Sequence, residues 1–208
     1  MTVAFLHTVT TLPAVFDELA DELIPDVERF HLVDESLLIN TRKAGALTQT
    51  TRSRVWRHLD SAVEAGADLV VVTCSSIGPA VDESSVHALR IDEPMADEAV
   101  RIGSRVGVLA TLATTLGPTA QLIARKGEVT VVSHLCEGAF DALQAGDRDR
   151  HDELVGAGLS ELAESVDVVV LAQASMARVT DALDSPVPIL ASPRLGMQRV
   201  AELVQESS

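Results

Sequence analysis

Aromatic and basic residues are both scarce in this chain of 208 residues. Aromatic residues make up 2% of the sequence, so the hydrophobic core has to be built from Val, Leu, Ile and Ala. That mixture is typical of parallel strands that helices cover on both faces. The 16 Lys and Arg residues oppose 31 Asp and Glu residues, which leaves a formal net charge of −15. Nucleic acids and anionic membranes attract clustered cations, so we expect neither as a partner.

Cysteines, targeting signals and long apolar runs are also few or absent. Cys74 and Cys136 are the two cysteines, and their spacing predicts neither a metal site nor a disulfide framework. The first ten residues lack a secretory signal, and no apolar run approaches the roughly 18 residues that span a membrane. We therefore predict a soluble, cytoplasmic protein. Because GxGxxG, GxxxxGKS/T and GxSxG motifs are missing, dehydrogenase, kinase and esterase functions are disfavoured.

The sequence does contain a regular alternation of short Val/Leu/Ile-rich segments with longer segments of helical periodicity. Such alternation predicts a parallel sheet with helices on its faces. In the first half, predicted strands cover residues 2–7, 27–33, 68–74 and 87–91, and predicted helices cover residues 12–24, 52–67 and 94–103.

The second half of the chain repeats the pattern of the first. Each of the four strand segments has a later counterpart, at an offset of 103 residues for the first two strands and 99 for the last two. At these offsets His31 aligns with His134, and Cys74 aligns with Gln173. Four matches in one order, with nearly constant spacing, indicate an internal duplication.

The duplication predicts an α/β fold of two pseudo-symmetric, flavodoxin-like lobes, each with a four-stranded parallel sheet. The first lobe is expected to comprise residues 1–96 with a C-terminal helix at 193–208, and the second residues 97–190. Ligands of open parallel sheets bind beyond the carboxyl ends of the strands, and those of two-lobe proteins often bind between the lobes. We therefore expect the active site in the cleft between the lobes.

Hydroxyl-bearing residues follow the strands of both lobes. Hydroxyls and free amides at a helix N-terminus suit a carboxylate or phosphate, although any one Thr alone also suits a helix cap. The predicted substrate-binding residues are His7, Thr8, Thr11, Ser75 and Ser76 in the first lobe, and Thr111, Thr114, Thr115, Ser175 and Met176 in the second.

Cys74 is the predicted catalytic residue. It leaves a buried strand at the start of a helix, where amides and the helix dipole are expected to lower the pKa of a thiol. Cys136 also follows a strand, but its repeat partner is Val33, which favours a packing role. His7 is the preferred second acid–base group because histidine titrates near neutral pH. The repeat equivalents His31 and His134 fit a structural role.

These features resemble the aspartate/glutamate/hydantoin racemase superfamily. The resemblance covers nearly the whole chain and rests on VVVTCSS at 70–76, GVLATLATT at 107–115 and VVVLAQASM at 168–176. It implies a cofactor-independent enzyme, forming a homodimer or larger homo-oligomer, that acts at a carbon next to a carboxylate or similar carbonyl group. In the racemases of the superfamily, two cysteines on opposite sides of the substrate remove and return the α-proton.

Cys74 matches the first of these two cysteines, but Gln173 occupies the place of the second. An amide forms hydrogen bonds but carries no proton near neutral pH, so three interpretations stay open. The first is a one-cysteine isomerase, decarboxylase or hydrolase in which Gln173 orients a small carboxylate substrate. The second is a true racemase with His7 or Cys136 as the second base. The third is a non-catalytic relative that binds small carboxylates.

Overall fold

The computed structural model describes residues 1–179 and 185–207. The chain divides into two compact units, the first formed by residues 1–93 with 193–208 and the second by residues 94–192. No helix within the described ranges is long and apolar enough to cross a membrane.

The first unit contains one sheet and the helices that cover it. Its strands are β1 (Thr2–His7), β2 (Glu28–Val33), β3 (Leu69–Val72) and β4 (Ala88–Arg90). Its helices are α1 (Leu12–Leu23), α2 (Glu35–Ala44), α3 (Gln49–Glu64), α4 (Gly78–Asp82) and the C-terminal α9 (Ser192–Glu206).

The second unit repeats this plan. It begins with α5 (Glu93–Ile102), and its strands are β5 (Arg105–Ala110), β6 (Thr130–Leu135), β7 (Val168–Leu171) and β8 (Ile189–Ala191). The helices between them are α6 (Ala113–Lys126), α7 (Ala139–Gln144) and α8 (Arg148–Ala163).

Both sheets are wholly parallel and have the same strand order. The first runs β2-β1-β3-β4 and the second β6-β5-β7-β8, which confirms the predicted fold of two four-stranded parallel sheets. The central strands β3 and β7 read LVVV and VVVL, and every residue of both is buried. Continuous apolar strands of this kind need helices on both faces, and the β–α alternation provides them.

Helix α2 is an element that the sequence pattern does not predict. Asp34 begins it by accepting a hydrogen bond from the amide of Ser36 at 3.0 Å, and Gly45 ends it in the left-handed conformation at φ 70°. Its buried side chains are Leu37, Leu38 and Thr41, so its apolar face is narrow. A helix with so narrow an apolar face gives only a weak hydrophobic periodicity in the sequence.

Helix α3 covers the first sheet and carries the single tryptophan of the sequence. Trp56 packs against the core of the first unit, and its Nε1 donates to the carbonyl of Ala80 at 2.8 Å. The indole thereby links α3 to α4 and has its one polar group satisfied.

The registers of the two sheets correct one of the sequence matches. Phe5 pairs with His31, whereas Val108, the residue 103 positions after Phe5, pairs with Ser133. The second strand of each unit is therefore offset by 102 residues, and His134 is not the equivalent of His31. A shift of one residue turns a side chain to the opposite face of a sheet. The two histidines accordingly have unrelated neighbours.

The fourth strands differ from the sequence match by two residues. Val72 pairs with Arg90, and Leu171, its counterpart at an offset of 99, pairs with Ala191. The offset between β4 and β8 is thus 101. Two residues separate β4 from α5, but α9 follows β8 directly, so Asp92 has no counterpart in the second unit.

Candidate active site

The carboxyl ends of β1 and β3 place Thr8 beside Cys74 in the first unit. Leu6 and Val72 are neighbours in the sheet, so the residues that follow them leave the sheet side by side. After Cys74 the chain forms a 3₁₀ turn at Ser75–Ile77, all of it buried, while Cys74 itself is half-buried. Four of the residues predicted for the site in this lobe therefore lie together: Thr8, Cys74, Ser75 and Ser76.

The pKa of the Cys74 thiol lies above its ordinary value, which reverses the sequence prediction. Burial is the largest cause, and the negative charge of Asp92 adds to it. The backbone amides of Ser76 and Ile77 lower the pKa, as the sequence predicted, and the Thr8 hydroxyl also lowers it, but together they do not outweigh burial. The protein without ligand therefore holds Cys74 as a neutral thiol near pH 7.

The hydroxyl of Thr8 is an available polar group within this half of the site. Thr8 is 2% exposed, and its Oγ1 has no partner of regular hydrogen-bond geometry among the described residues. Its interaction with the Cys74 thiol lowers the pKa of that thiol without satisfying the geometry of a regular hydrogen bond. A buried hydroxyl without a partner is costly, and a ligand oxygen would relieve that cost.

His7 lies in the interior of the first unit. It is fully buried, its Nδ1 lies 2.8 Å from Thr73 Oγ1, and its Nε2 lies 2.8 Å from His31 Nδ1. Burial, together with the positive charge of His31, lowers the pKa of His7 to about 3, against an opposing effect of Asp17. Both ring nitrogens are occupied and the ring is neutral at pH 7, so this geometry favours neither substrate binding nor proton transfer by His7.

Sequence reasoning missed a buried ion pair close to Cys74. Arg90, the last residue of β4, donates through Nε and Nη2 to the two carboxylate oxygens of Asp92, both at 3.0 Å, and through Nη1 to Asp82 at 2.9 Å. Gly78 gives the guanidinium room, because a Cβ there would lie 2.6 Å from Arg90 Cζ. The sequence shows only an Arg that ends an apolar strand two residues before an Asp, which by itself does not indicate an ion pair.

In the second unit, Gln173 binds Thr111. The backbone amide of Thr111 donates to Gln173 Oε1 at 2.7 Å, and Gln173 Nε2 donates to Thr111 Oγ1 at 2.7 Å. The backbone N–H is a donor only, so it fixes which end of the amide is oxygen. By the repeat, Gln173 corresponds to Cys74 and Thr111 to Thr8. The second unit thus satisfies internally the hydroxyl that the first unit leaves open.

The remaining predicted substrate-binding residues are in several different settings. Thr11 is the exposed residue before α1, and its side chain makes no capping hydrogen bond. Thr114 and Thr115 lie in the first turn of α6, the former partly exposed and the latter buried. Ser175 is partly exposed, but Met176 is fully buried in the hydrophobic core of the second unit, so its predicted contact with substrate is not supported.

Cys136 is also part of the core of the second unit. It is 4% exposed, and burial raises its pKa to about 11. Its repeat partner is Asp34 and not Val33, because the amide of Cys136 donates to Ala110 exactly where that of Asp34 donates to His7. A buried thiol of so high a pKa does not provide a second base near neutral pH.

A sequence model of the Asp/Glu/hydantoin racemase family matches residues 7–200 of the chain. The match includes both strand ends described above, with Thr8 and Cys74 in one unit and Thr111 and Gln173 in the other. No curated protein matches the chain by sequence.

Several solved structures share the fold. A glutamate racemase of Bacillus anthracis superposes with a TM-score of 0.75 at 15% identity, covering 100% of this chain and 82% of its own. An allantoin racemase of Klebsiella pneumoniae gives 0.73 at 18% identity, with coverages of 100% and 89%. An aspartate racemase of Picrophilus torridus gives 0.73 at 13% identity, with coverages of 97% and 94%. Identities this low show a common fold and no more.

Proposed function

Because the chain belongs to the Asp/Glu/hydantoin racemase family, we propose that it is a cofactor-independent enzyme with one proton carrier, Cys74. It would act at the carbon α to a carboxylate of a small substrate and protonate an enediolate on one face. The observation that carries this proposal is the pair of hydrogen bonds between Gln173 and Thr111, both 2.7 Å long. An amide held in this way stands where a second cysteine would be needed for racemisation.

The state of Cys74 favours a role as an acid. Its pKa lies above the ordinary value in the absence of ligand, chiefly because of burial, so the thiol carries its proton at pH 7. A substrate carboxylate bound nearby adds negative charge, which raises the pKa of a thiol further. The thiol in the complex is then a proton donor, and the thiolate that remains after transfer is reprotonated by water.

The hydroxyl of Thr8 and the amide of Ser76 are suited to the substrate carboxylate, whereas the amide of Ile77 also donates to the carbonyl of Cys74 at 3.2 Å. The amides already stabilise negative charge at Cys74, and the hydroxyl is a buried donor without a regular partner among the described residues. Donors aimed at the same place also stabilise the enediolate, whose extra negative charge develops on the carboxylate oxygens. This half of the site therefore combines carboxylate binding with delivery of a proton.

A protonated thiol without a second carrier restricts how the enediolate arises. Removal of an α-proton requires a base, whereas loss of CO₂ from a malonate-type acid leaves the enediolate directly. The second route needs only the donors around Thr8 and the proton of Cys74. Decarboxylation is accordingly the reaction that the protonated state of Cys74 favours within the proposed function.

Reactions in D₂O test the proposed function. Aspartate, glutamate, hydantoins, maleate and substituted malonates form a suitable panel, with chiral chromatography and mass spectrometry of the products. We expect one deuterium at the α-carbon in a single configuration, lost with Cys74→Ser and kept with Cys136→Ser. Loss of optical purity would instead establish a racemase. Full turnover by Cys74→Ser, or ligand binding without turnover on any substrate, would reject the proposal.

A further inference from the structure

A chain of hydrogen bonds crosses the first unit from the surface of α1 to the residue before Cys74. Asp17 Oδ1 lies 3.2 Å from His31 Nε2, His31 Nδ1 lies 2.8 Å from His7 Nε2, and His7 Nδ1 lies 2.8 Å from Thr73 Oγ1. The two rings are nearly coplanar, with an angle of 19° between them. We refer to the four linked residues as the histidine chain: Asp17, His31, His7 and Thr73.

The donors and acceptors of the histidine chain determine how many protons it holds. When the hydroxyl of Thr73 donates to the carbonyl of Leu6, at 3.1 Å, its oxygen accepts from His7 Nδ1–H. Asp17 accepts from His31 Nε2–H because an ionised carboxylate has no proton to give. One more proton lies between the two rings. Filling every one of these bonds requires three protons on two imidazoles, and the pair then carries one net positive charge.

Neighbouring groups stabilise this charge state. Arg29 Nε donates to Asp17 at 2.7 Å, and this hydrogen bond is the main reason that the pKa of Asp17 lies below its ordinary value. Among the described residues, the charged groups facing the pair are Asp17 and, behind it, Arg29 and Asp21, which are joined by a hydrogen bond. The uncharged rings of Phe5 and Phe16 also pack against the pair.

We propose that the histidine chain is a positioning device for Cys74 that requires a protonated histidine pair to be complete. Its inner end holds the side chain of Thr73, which precedes Cys74, while the backbone of Thr73 is held by Leu6 at 3.1 Å. The three hydrogen bonds of the chain and the bond from the Thr73 hydroxyl to Leu6 need four protons, whereas two neutral rings and one hydroxyl supply three. Raising the pH until the pair loses its extra proton therefore breaks one bond and loosens Thr73. The importance of this for catalysis rests on the proposed function of Cys74.

The protonation pattern can be read directly from the unaltered protein. Long-range ¹H–¹⁵N spectra of protein labelled at histidine distinguish the two neutral tautomers and the imidazolium form. We expect His7 to carry its proton on Nδ1 and His31 to carry one on Nε2, with a third proton shared between the two rings. A His7 ring whose proton is on Nε2 and not on Nδ1 would overturn the proposal without reference to any activity.

Two carboxylates of α1 provide a matched pair of variants. Asp17 and Asp21 both bind Arg29, but Asp17 alone of the two bonds His31. We expect Asp17→Asn to remove the third ring proton from the histidine pair and to change the rate of Cys74 alkylation by about tenfold, with a shifted pH profile. Asp21→Asn should cause neither change. Asp17→Glu, which keeps a carboxylate at this position, should behave like the original protein in both measurements.

The results for Asp17→Asn and Cys74→Ser distinguish the positioning role of the histidine chain from the proposed function of Cys74. An Asp17→Asn protein with unchanged histidine spectra and an unchanged alkylation profile rejects the positioning role, whatever Cys74 does in catalysis. A changed profile with no activity lost in Cys74→Ser rejects the proposed function and leaves the positioning role standing. If Asp17→Asn does not fold, the spectra of the unaltered protein still decide the matter.

Discussion

Gln173 forms hydrogen bonds with both the backbone amide and the hydroxyl of Thr111. In the equivalent pair of the first unit, Cys74 and Thr8, the Thr8 hydroxyl has no regular hydrogen-bond partner among the described residues. The two hydrogen bonds of Gln173 are each 2.7 Å long, and Thr8 Oγ1 has no regular partner among the described residues. The same two positions of the repeat thus serve opposite purposes. One leaves a hydroxyl beside a thiol without a regular partner among the described residues, and the other has its polar groups paired.

Thr8→Val should separate binding from stability. Removal of a buried hydroxyl without a regular partner should change the free energy of unfolding by less than about 1 kcal/mol, in either direction. Thr41→Val is the matched control, because Thr41 is equally buried and its hydroxyl donates to Leu37 at 2.8 Å. That variant should cost about 1 kcal/mol. Urea unfolding measures both, and a smaller thermal shift with malonate in Thr8→Val alone would confirm the role of the hydroxyl.

Gln173→Ala should destabilise the second unit. The amide of Thr111 loses its partner at a residue that is 5% exposed, and an unsatisfied buried N–H costs about 1–3 kcal/mol. Gln198→Ala, at an exposed position of α9, should stay within about 0.5 kcal/mol of the original protein. Equal effects of the two substitutions in urea unfolding would show that the bonds to Thr111 contribute nothing.

Gln173→Cys restores a thiol at the position from which the second proton carrier is missing. If this is all that racemisation lacks, deuterium should enter the α-carbon of a substrate with loss of optical purity, where the original protein gives one configuration. Ser175→Cys introduces a thiol two residues further along, at a partly exposed position, and should leave the stereochemical outcome unchanged. Chiral chromatography of the product distinguishes the two.

Asp92→Asn should weaken the fold and make Cys74 more acidic. Arg90 keeps Asp82 but loses a buried charged partner, a change that costs about 3 kcal/mol. The pKa of Cys74 should fall because the charge of Asp92 raises it. Glu98→Gln removes the partner of the exposed Arg101 and should cost under about 1 kcal/mol. Alkylation of Cys74 at several pH values, with urea unfolding, tests both effects.

His7 should make the protein sensitive to acid. Its pKa is about 3 when folded and 6.5 in an unfolded chain, so between these values the unfolded state binds a proton that the folded state does not. Its contribution to stability is therefore full above about pH 6.5 and is lost as the pH falls toward 3. His7→Gln should flatten the pH dependence of unfolding in this window. His87→Gln, at an exposed site, should leave it unchanged.

The repeated pattern of strands predicted both sheets, since four apolar segments in one order leave little freedom in a parallel fold. It did not predict the register of the second strands, because HLV and HLC look alike in the two copies. Only the pairing of Phe5 with His31 and of Val108 with Ser133 shows the shift by one residue. Because of that shift, His31 belongs to the histidine chain and His134 has no equivalent place. His134 Nδ1 instead lies 3.9 Å from Glu161 Oε2.

The sequence identified Cys74 from its place at a strand end, but the charge state of the thiol depends on long-range contacts. Amides next to the cysteine were visible in the local pattern and act as predicted. The burial that opposes them, and the charge of Asp92, arise from how the chain folds around the site. Arg90 was likewise hidden, since one charged residue ending an apolar strand has no local meaning until Asp82 and Asp92 are placed beside it.

Trp56 gives the two units different optical signatures. It is the single tryptophan of the sequence, and its hydrogen bond to Ala80 lies within the first unit. Indole fluorescence therefore follows the unfolding of that unit alone, whereas far-ultraviolet circular dichroism sums the helices of both. Denaturation curves from the two signals coincide if the halves unfold as one cooperative body and diverge if they do not. One aromatic side chain thus makes the cooperativity of the duplicated fold measurable without a label.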